Sequence, residues 1–364
     1  MKYYIIAGEN SGDLHGANLM KRLITLDNQA IFRFCGGDKM LQQSDNICTH
    51  VKDMSFMGFI EVLMNIRTIK ANINKVELDI EEFKPDAVIL IDYPGFNLRM
   101  AKFAHELGIK VFYYISPKVW AWKESRVKKI KAWVDQLYLI LPFEEAFYNT
   151  HNYQAKYVGN PLLDAIEDYK LSEKISLKNS QNILALLPGS RKMEVSKILP
   201  VMVSAAKHIN NMKVLVAGVS SLPKSMYQSA IDAGFEVIYD NTYQLLNQAH
   251  TALVTSGTAT LETALFNVPQ VVCYKAHPVT IWIAKAFIKI KFISLVNLIM
   301  DKEVVKELIQ NDLNARKVLE YLQPITEGES RTKMLNHYAE LQKIMGLPGA
   351  SKRVAEEIYH DIKN

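Results

Sequence analysis

The stretch Tyr3-Tyr4-Ile5-Ile6-Ala7-Gly8-Glu9-Asn10-Ser11-Gly12-Asp13 decides the fold. It opens with a short β-rich apolar run, Tyr3–Ala7, continues as a glycine- and serine-bearing loop, and gives way to a helical pattern from about Leu14. A strand, a tight polar loop and a helix, in that order, begin a βαβ unit. Further apolar runs follow at Ile31–Phe34, Ala87–Ile91, Lys110–Ile115 and Gln136–Leu141, with helix-like segments between them. The alternation predicts an α/β fold with a parallel sheet covered by helices.

Leu171 to Asn182 break the pattern with Ser172, Lys174, Ser176, Lys178, Asn179 and Ser180, and read as a linker. A second series runs through Ile183–Leu187, Lys213–Ala217, Glu236–Tyr239, Thr251–Val254 and Val268–Tyr274. Helical spacing then takes over at Glu303–Ile309, Asn314–Leu322, Arg331–Met345 and Ser351–Ile362. The predicted organisation is an N-terminal Rossmann-like domain over 1–172, a second over 181–340, and a C-terminal helix over 341–364 that packs back on the N-terminal domain. A chain of 364 residues suits two cores of ordinary size, and two such lobes predict a cleft.

Apolar residues at 49% and charged residues at 22% are a globular balance. A net charge of +5 is too small for a dense nucleic-acid-binding field, and suits a protein that handles phosphates or touches an anionic membrane. Cys35, Cys48 and Cys273 are scattered, without a CxxC pair, and predict a reducing compartment. The N-terminal apolar run stops at Glu9, short of a signal peptide. Lys285, Lys289 and Lys291 interrupt the apolar stretch from Ile281 to Met300, which argues against a spanning helix. The expectation is a cytoplasmic chain.

Several loops carry chemistry. Gly8–Asp13 offers the free N–H groups of a helix start to an anion. It reads equally as a plain turn with Ser11 or Asp13 as N-cap. Asp92 ends a strand expected to be central, where ligands of open α/β sheets bind. A carboxylate there can take a proton from an incoming hydroxyl, or simply cap the helix near Asn97. Trp120 and Trp122 follow the next strand and fit either a sugar or acyl wall or a core. The basic run Lys123, Arg126, Lys128, Lys129 and Lys131 fits a solvated helix face or a phosphate-facing one.

In the second series, Leu187-Pro188-Gly189-Ser190-Arg191 places an arginine where it can grip a diphosphate through two hydrogen bonds. Thr255-Ser256-Gly257-Thr258-Ala259-Thr260-Leu261-Glu262 opens a helix with small hydroxyl residues, a phosphate cradle, with Glu262 in reach of a ribose diol. Ser256 as a simple N-cap and Glu262 on a solvated face is the plainer reading. Phe56–Arg67 is nearly all apolar, either buried or laid on a membrane, and Trp282–Lys289 has an interfacial mix of basic and apolar residues. The nine histidines form no metal-binding pair, and no DxD motif follows a strand. Arginine and helix dipoles are therefore expected to neutralise charge, with no metal.

Taken in order, these pieces resemble the lipid-A-disaccharide synthases. The resemblance rests on Gly8-Glu9-x-Ser11-Gly12-Asp13-x-His15-Gly16-Ala17, Met57-Gly58-x-x-Glu61-Val62-Leu63, and Ile91-Asp92-x-Pro94-x-Phe96-Asn97. It continues through Ser116-Pro117-x-Val119-Trp120-Ala121-Trp122, Leu141-Pro142-Phe143-Glu144 and Leu187–Arg191. Ser256-Gly257-Thr258-Ala259-x-x-Glu262 and Ser294-Leu295-x-Asn297-Leu298 complete it. It implies a GT-B fold of two facing Rossmann-like lobes. The implied activity is inverting transfer of 2,3-diacylglucosamine from UDP-2,3-diacylglucosamine to 2,3-diacylglucosamine 1-phosphate (lipid X). The products are the β-1,6-linked disaccharide 1-phosphate and UDP.

By position, the resemblance makes Asp92 the base and Arg191 the group that meets the departing diphosphate. Glu9, Ser11, Gly12 and Ser190 would contact substrate, and Ser256, Gly257, Thr258, Glu262 and Asn297 would line the UDP site. It further implies no cofactor, peripheral association with lipids on the inner face of the inner membrane through Met57–Arg67, and a homodimer exchanging its C-terminal helices. Two positions depart from the family pattern: Gly95 stands where many relatives have a second aspartate, and Asn160 where many have histidine. The competing readings are another GT-B enzyme acting on UDP-GlcNAc-type donors, either a transferase or a 2-epimerase, and a two-lobed binding protein without turnover.

Overall fold

The computed structural model describes residues 1–54, 65–121, 123–171, 181–276 and 291–363. The chain divides into two compact units, Met1–Asp164 with Leu347–Asn364, and Ala165–Gly346.

The first unit holds strands β1 (Lys2–Ala7), β2 (Ile31–Gly36), β3 (Ile47–His50), β4 (Ala87–Ile91), β5 (Lys110–Tyr114), β6 (Gln136–Leu139) and β7 (Lys156–Tyr157). They form one sheet in the order β3-β2-β1-β4-β5-β6-β7, with every neighbouring pair parallel. Side chains alternate between faces along a strand, so β1 divides its apolar run between two cores. Tyr4 and Ile6 join Val88, Leu90 and the helices Ile66–Phe83 and Pro94–Glu106. Tyr3 and Ile5 join Ile89, Ile91 and the helices Asn10–Leu26 and Ala350–Lys363. Burial on both faces is why the strand reads as continuous rather than alternating hydrophobicity.

The last helix packs within its own chain. Val354, Ala355 and Ile358 are fully buried beside Ala17, Met20 and Leu23. Its first turn is closed by Asp164, whose carboxylate accepts N–H bonds from Gly349, Ala350 and Ser351 at 2.5–3.2 Å. That helix contributes its apolar face to the core of the first unit.

The second unit holds β8 (Ile183–Leu187), β9 (Lys213–Gly218), β10 (Glu236–Tyr239), β11 (Ala249–Thr255), β12 (Gln270–Tyr274) and β13 (Lys306–Ile309). Its sheet is also parallel, in the order β10-β9-β8-β11-β12-β13. All ten strands expected from the sequence are present. Glu303–Ile309, expected as a helix, instead supplies edge strand β13, whose Glu307 carboxylate accepts the N–H groups of Ile293 and Ser294. Pairing with β12 outweighs the local helical spacing. Phe56–Leu63, Trp122, most of the linker and Trp282–Lys289 lie outside the described residues. No helix among the described residues is long and apolar enough to cross a membrane.

The first helix starts at Asn10, four residues earlier than expected, and its N-cap Glu9 makes no side-chain cap bond. Neither Ser11 nor Asp13 caps it. Asp13 is buried and reaches the loop after β2, accepting N–H bonds from Gly37 (2.6 Å), Lys39 (3.0 Å) and Met40 (3.1 Å). Three main-chain donors then depend on one carboxylate, and each unmade buried bond costs about 1–3 kcal/mol. Asp13→Ala is expected to lower unfolding stability by about 3 kcal/mol or more in urea titration. A loss under about 1 kcal/mol would show that solvent replaces the carboxylate.

Candidate active site

Both sheets reverse their direction of growth once. In the first unit β2 and β3 extend to one side of β1, and β4 onward to the other. In the second the same reversal lies between β8 and β11. At such a switch point the loops leaving two adjacent strands diverge and open a crevice at the strands' carboxyl ends. The loops singled out from sequence fall at these two places. Gly8–Gly12 follows β1 and Asp92 follows β4; Pro188–Arg191 follows β8 and Ser256–Thr258 follows β11.

In the first unit the backbone at the crevice is strained. Asp92 and Tyr93 take φ of 45° and 49°, and Ile115, at the end of β5, takes 66°. A left-handed β-branched residue costs of order 1–3 kcal/mol and persists only where its surroundings enforce it. Asn97 ties the strand ends together, its amide donating to Asp92 O (2.8 Å), Ile91 O (3.2 Å) and Ile6 O (3.4 Å). The Tyr113 hydroxyl adds a bond to Asp92 O at 2.5 Å. Tyr93 starts the Pro94–Glu106 helix, so Asp92 is not its cap. The Tyr93 ring covers Gly8, where a Cβ would come within 2.2 Å of it.

The Asp92 carboxyl is partly buried. Desolvation raises its pKa, opposed by the positive charge of Lys118 and a hydrogen bond from the Tyr93 N–H. Such a carboxylate binds a proton more readily than a free one, as a general base requires. Burial, with the charge of Glu9 nearby, raises the pKa of the Tyr93 phenol, and Ser11 is exposed. Gly12 is buried, and a Cβ at that position would stand 3.2 Å from Ala7 Cβ, so the helix packs closely on the end of β1 there.

Behind this crevice, the loop after β5 is fastened by the segment after β6. Glu144 is 1% exposed, and its carboxylate accepts Trp120 Nε1 and Leu141 N, each at 3.0 Å. Trp120 meets Phe143 edge-on at 4.9 Å, and Ser116 Oγ bonds Tyr148 OH at 2.8 Å. Trp120 is therefore bound to the loop's own support. Asn160 is buried, with its amide on Ile140 O and Leu162 N. Gly95 is exposed with open space around its Cα.

In the second unit, Arg191 is exposed at the mouth of the helix Lys192–Ala206. Glu194 shapes its loop, accepting the N–H groups of Ser190 (3.2 Å) and Arg191 (3.3 Å) and lying 3.6 Å from the Arg191 guanidinium. Any Cβ at position 189 would stand 2.4 Å from the Glu194 carboxylate, and Gly189 has φ 105°, so glycine is required twice over. Tyr274, at the end of β12, feels the charges of both Glu194 and Arg191. Across the switch point, Gly257 and Thr258 are exposed, and Gly257 has open space around it. Ser256 is no N-cap; its hydroxyl donates to Ile293 O at 2.8 Å. Glu262 is partly buried, its pKa raised by burial and lowered by a 3.1 Å bond from the Tyr243 hydroxyl.

Asn297 departs from expectation. It is fully buried, its amide donates to Val305 O and Glu307, and its carbonyl accepts Val304 N and Val305 N. Those four bonds fill its capacity, so it braces the 294–307 segment and offers nothing to a ligand. Glu144 entered the sequence reading only through the Leu141–Glu144 motif, without a role, and Glu194, Tyr243 and Tyr274 were missed. Of those three, Glu194 had a local signal, its three-residue spacing from the cap position Arg191.

Two doubly wound parallel-sheet units, each with polar loops at its switch point, are the architecture of the GT-B class. Solved structures agree on the fold. A UDP-GlcNAc 2-epimerase from Neisseria meningitidis superposes with a TM-score of 0.63 at 14% identity, covering 99% of this chain and all of that one. The glycosyltransferase of kitacinnamycin gives 0.66 at 11%, covering 99% of each. The family profile of lipid-A-disaccharide synthetase matches residues 3–359. A lipid-A-disaccharide synthase of Syntrophus aciditrophicus (strain SB) is 36% identical over 96% of this chain and 95% of its own. One of Myxococcus xanthus is 35% identical over 97% and 96%. This chain belongs to the lipid-A-disaccharide synthase family of glycosyltransferases.

Burial moves the Glu144 carboxyl from 4.5 to about 7. An acid raised in the folded state favours folding while protonated, so its contribution is full below the unfolded value and declines as pH rises through the folded one. That window spans pH 4.5 to about 7 and amounts to roughly 3 kcal/mol. Relative to the parent, Glu144→Gln is expected to gain about 2–3 kcal/mol in urea unfolding between pH 5 and pH 8. Parallel pH profiles for the two proteins would refute the shift.

Proposed function

We propose that this chain transfers 2,3-diacylglucosamine from UDP-2,3-diacylglucosamine to the 6-hydroxyl of 2,3-diacylglucosamine 1-phosphate. The β-1,6 disaccharide 1-phosphate forms with inversion, and UDP leaves. The observation that carries the reading is Asp92: a desolvated carboxylate on a strained left-handed backbone, at the switch point, with no helix to cap.

In this reading the first unit activates the acceptor and the second holds the donor. Asp92 removes the proton of the acceptor hydroxyl as its oxygen bonds to the donor's anomeric carbon. The bond from that carbon to the diphosphate breaks, and the charge that develops is met by Arg191 and by the main-chain N–H groups that open the helix Thr258–Leu265. Glu262 accepts the ribose hydroxyls. Two acylated substrates imply work at the inner-membrane surface. The exposed Lys128, Lys129 and Lys131 of the Arg126–Trp133 helix suit an anionic lipid face. Self-association as a homodimer belongs to the same proposal.

The test is transfer in detergent, with both acylated substrates and EDTA present. Disaccharide that requires the acceptor supports the reading; UDP release without acceptor turns it toward the epimerase-like alternative. Asp92→Asn is expected to lower kcat about 10³-fold while UDP affinity stays within twofold. Turnover within tenfold of the parent removes Asp92 from the base role. Arg191→Ala is expected to raise the Kd for UDP about tenfold or more by calorimetry, and an unchanged Kd excludes the diphosphate contact. For the parent, rate is expected to fall as pH drops through the raised Asp92 pKa, because the protonated acid cannot accept the hydroxyl proton.

A further inference from the structure

Glu262 poses a question that its proposed role does not answer. A carboxylate that accepts a ribose diol must stay ionised and hold one orientation, yet burial at this position works against ionisation. It sits in the helix Thr258–Leu265, with Phe266 one turn further on. The Tyr243 side chain, from the short helix Thr242–Leu246, touches both. Its hydroxyl donates to Glu262 Oε1 at 3.1 Å, and its ring lies 5.3 Å from that of Phe266.

We propose that Tyr243 is a positioning residue for Glu262: its phenol fixes one carboxylate oxygen, which orients the other toward the ribose diol of a uridine nucleotide. The proposal rests on the reading of Glu262 given above. Two aromatic contacts hold the Tyr243 ring, and a third joins the two rings that make them. Tyr169 meets the Tyr243 ring at 5.7 Å and 77°, Phe266 meets it at 51°, and Tyr169 meets Phe266 at 5.9 Å and 69°. Two edge-on contacts and one tilted contact close a triangle that leaves Tyr243 little rotational freedom. Burial and the Glu262 charge both raise the pKa of the phenol, so it remains a donor throughout the working range. Its bond also stabilises the ionised form of Glu262 against desolvation.

A core aromatic and a positioning hydroxyl predict different results. Tyr243→Phe keeps the ring and its contacts and removes only the donor. Calorimetry on the full chain would compare UDP with 2′,3′-dideoxyuridine diphosphate, which lacks the diol, in the parent, Tyr243→Phe, Glu262→Gln and the double variant. The proposal expects Tyr243→Phe to weaken UDP about tenfold and the dideoxy nucleotide less than twofold. It expects no further loss when Tyr243→Phe is added to Glu262→Gln. Donor KM should rise with kcat within twofold. Equal weakening of both nucleotides, or an unchanged UDP affinity, overturns the role of Tyr243. Glu262→Gln binding UDP like the parent overturns the ribose reading itself, and this proposal with it.

Discussion

The structure depends on one pairing in each sheet: β1 beside β4, and β8 beside β11. Neither pair is consecutive in the chain, and both are parallel. In the first unit the helix leaving β1 packs on one face of the sheet and the helix leaving β4 packs on the other. The carboxyl ends of the two strands are thus adjacent, and their following helices diverge. What stands there must satisfy strand-end carbonyls while leaving the crevice open. Asn97 does so with a single amide that reaches the main-chain carbonyls of Ile6, Ile91 and Asp92.

Burial acts on the carboxylates of these crevices in one direction and to different ends. Asp92, Glu144 and Glu262 all have pKa values raised by desolvation. Glu144 is closed off and held by two neutral donors, so its shift appears as stability. Asp92 and Glu262 keep part of their surface open, so theirs is available to a ligand. Glu194 takes a third course: half-hidden behind the Pro188–Arg191 loop, it orders the main chain and stands beside the exposed Arg191. These four carboxylates therefore divide into two left partly open at the crevices, Asp92 and Glu262, and two that hold loops, Glu144 and Glu194.

Sequence patterns reached the sheets because a strand covered on both faces must be apolar along its whole length, as β1, β4 and β8 are. They failed where a strand owes its place to a neighbour. β3 has four residues with a register shift against β2, β7 has two, and β13 carries Lys306 and Glu307 at a sheet edge. The loops at the switch points were legible too, since glycine, proline and hydroxyl residues directly after strands are local features. Side-chain assignment within them was not. Asn297 looked like a polar group awaiting a ligand, and its side chain is fully bonded to the Val304–Glu307 chain; Gly12 looked like an open loop glycine and is buried against the end of β1.

The sequence by itself determined two α/β units, the loops that matter and the family to which they belong, because apolar periodicity, turn chemistry and ordered motifs are all written in neighbouring residues. Only the tertiary structure decided which carboxylates are desolvated, which amides are already bonded, and that Tyr243 reaches Glu262 nineteen positions away. Those are properties of distance and of exclusion from water, and both arise when segments remote in the chain are brought together.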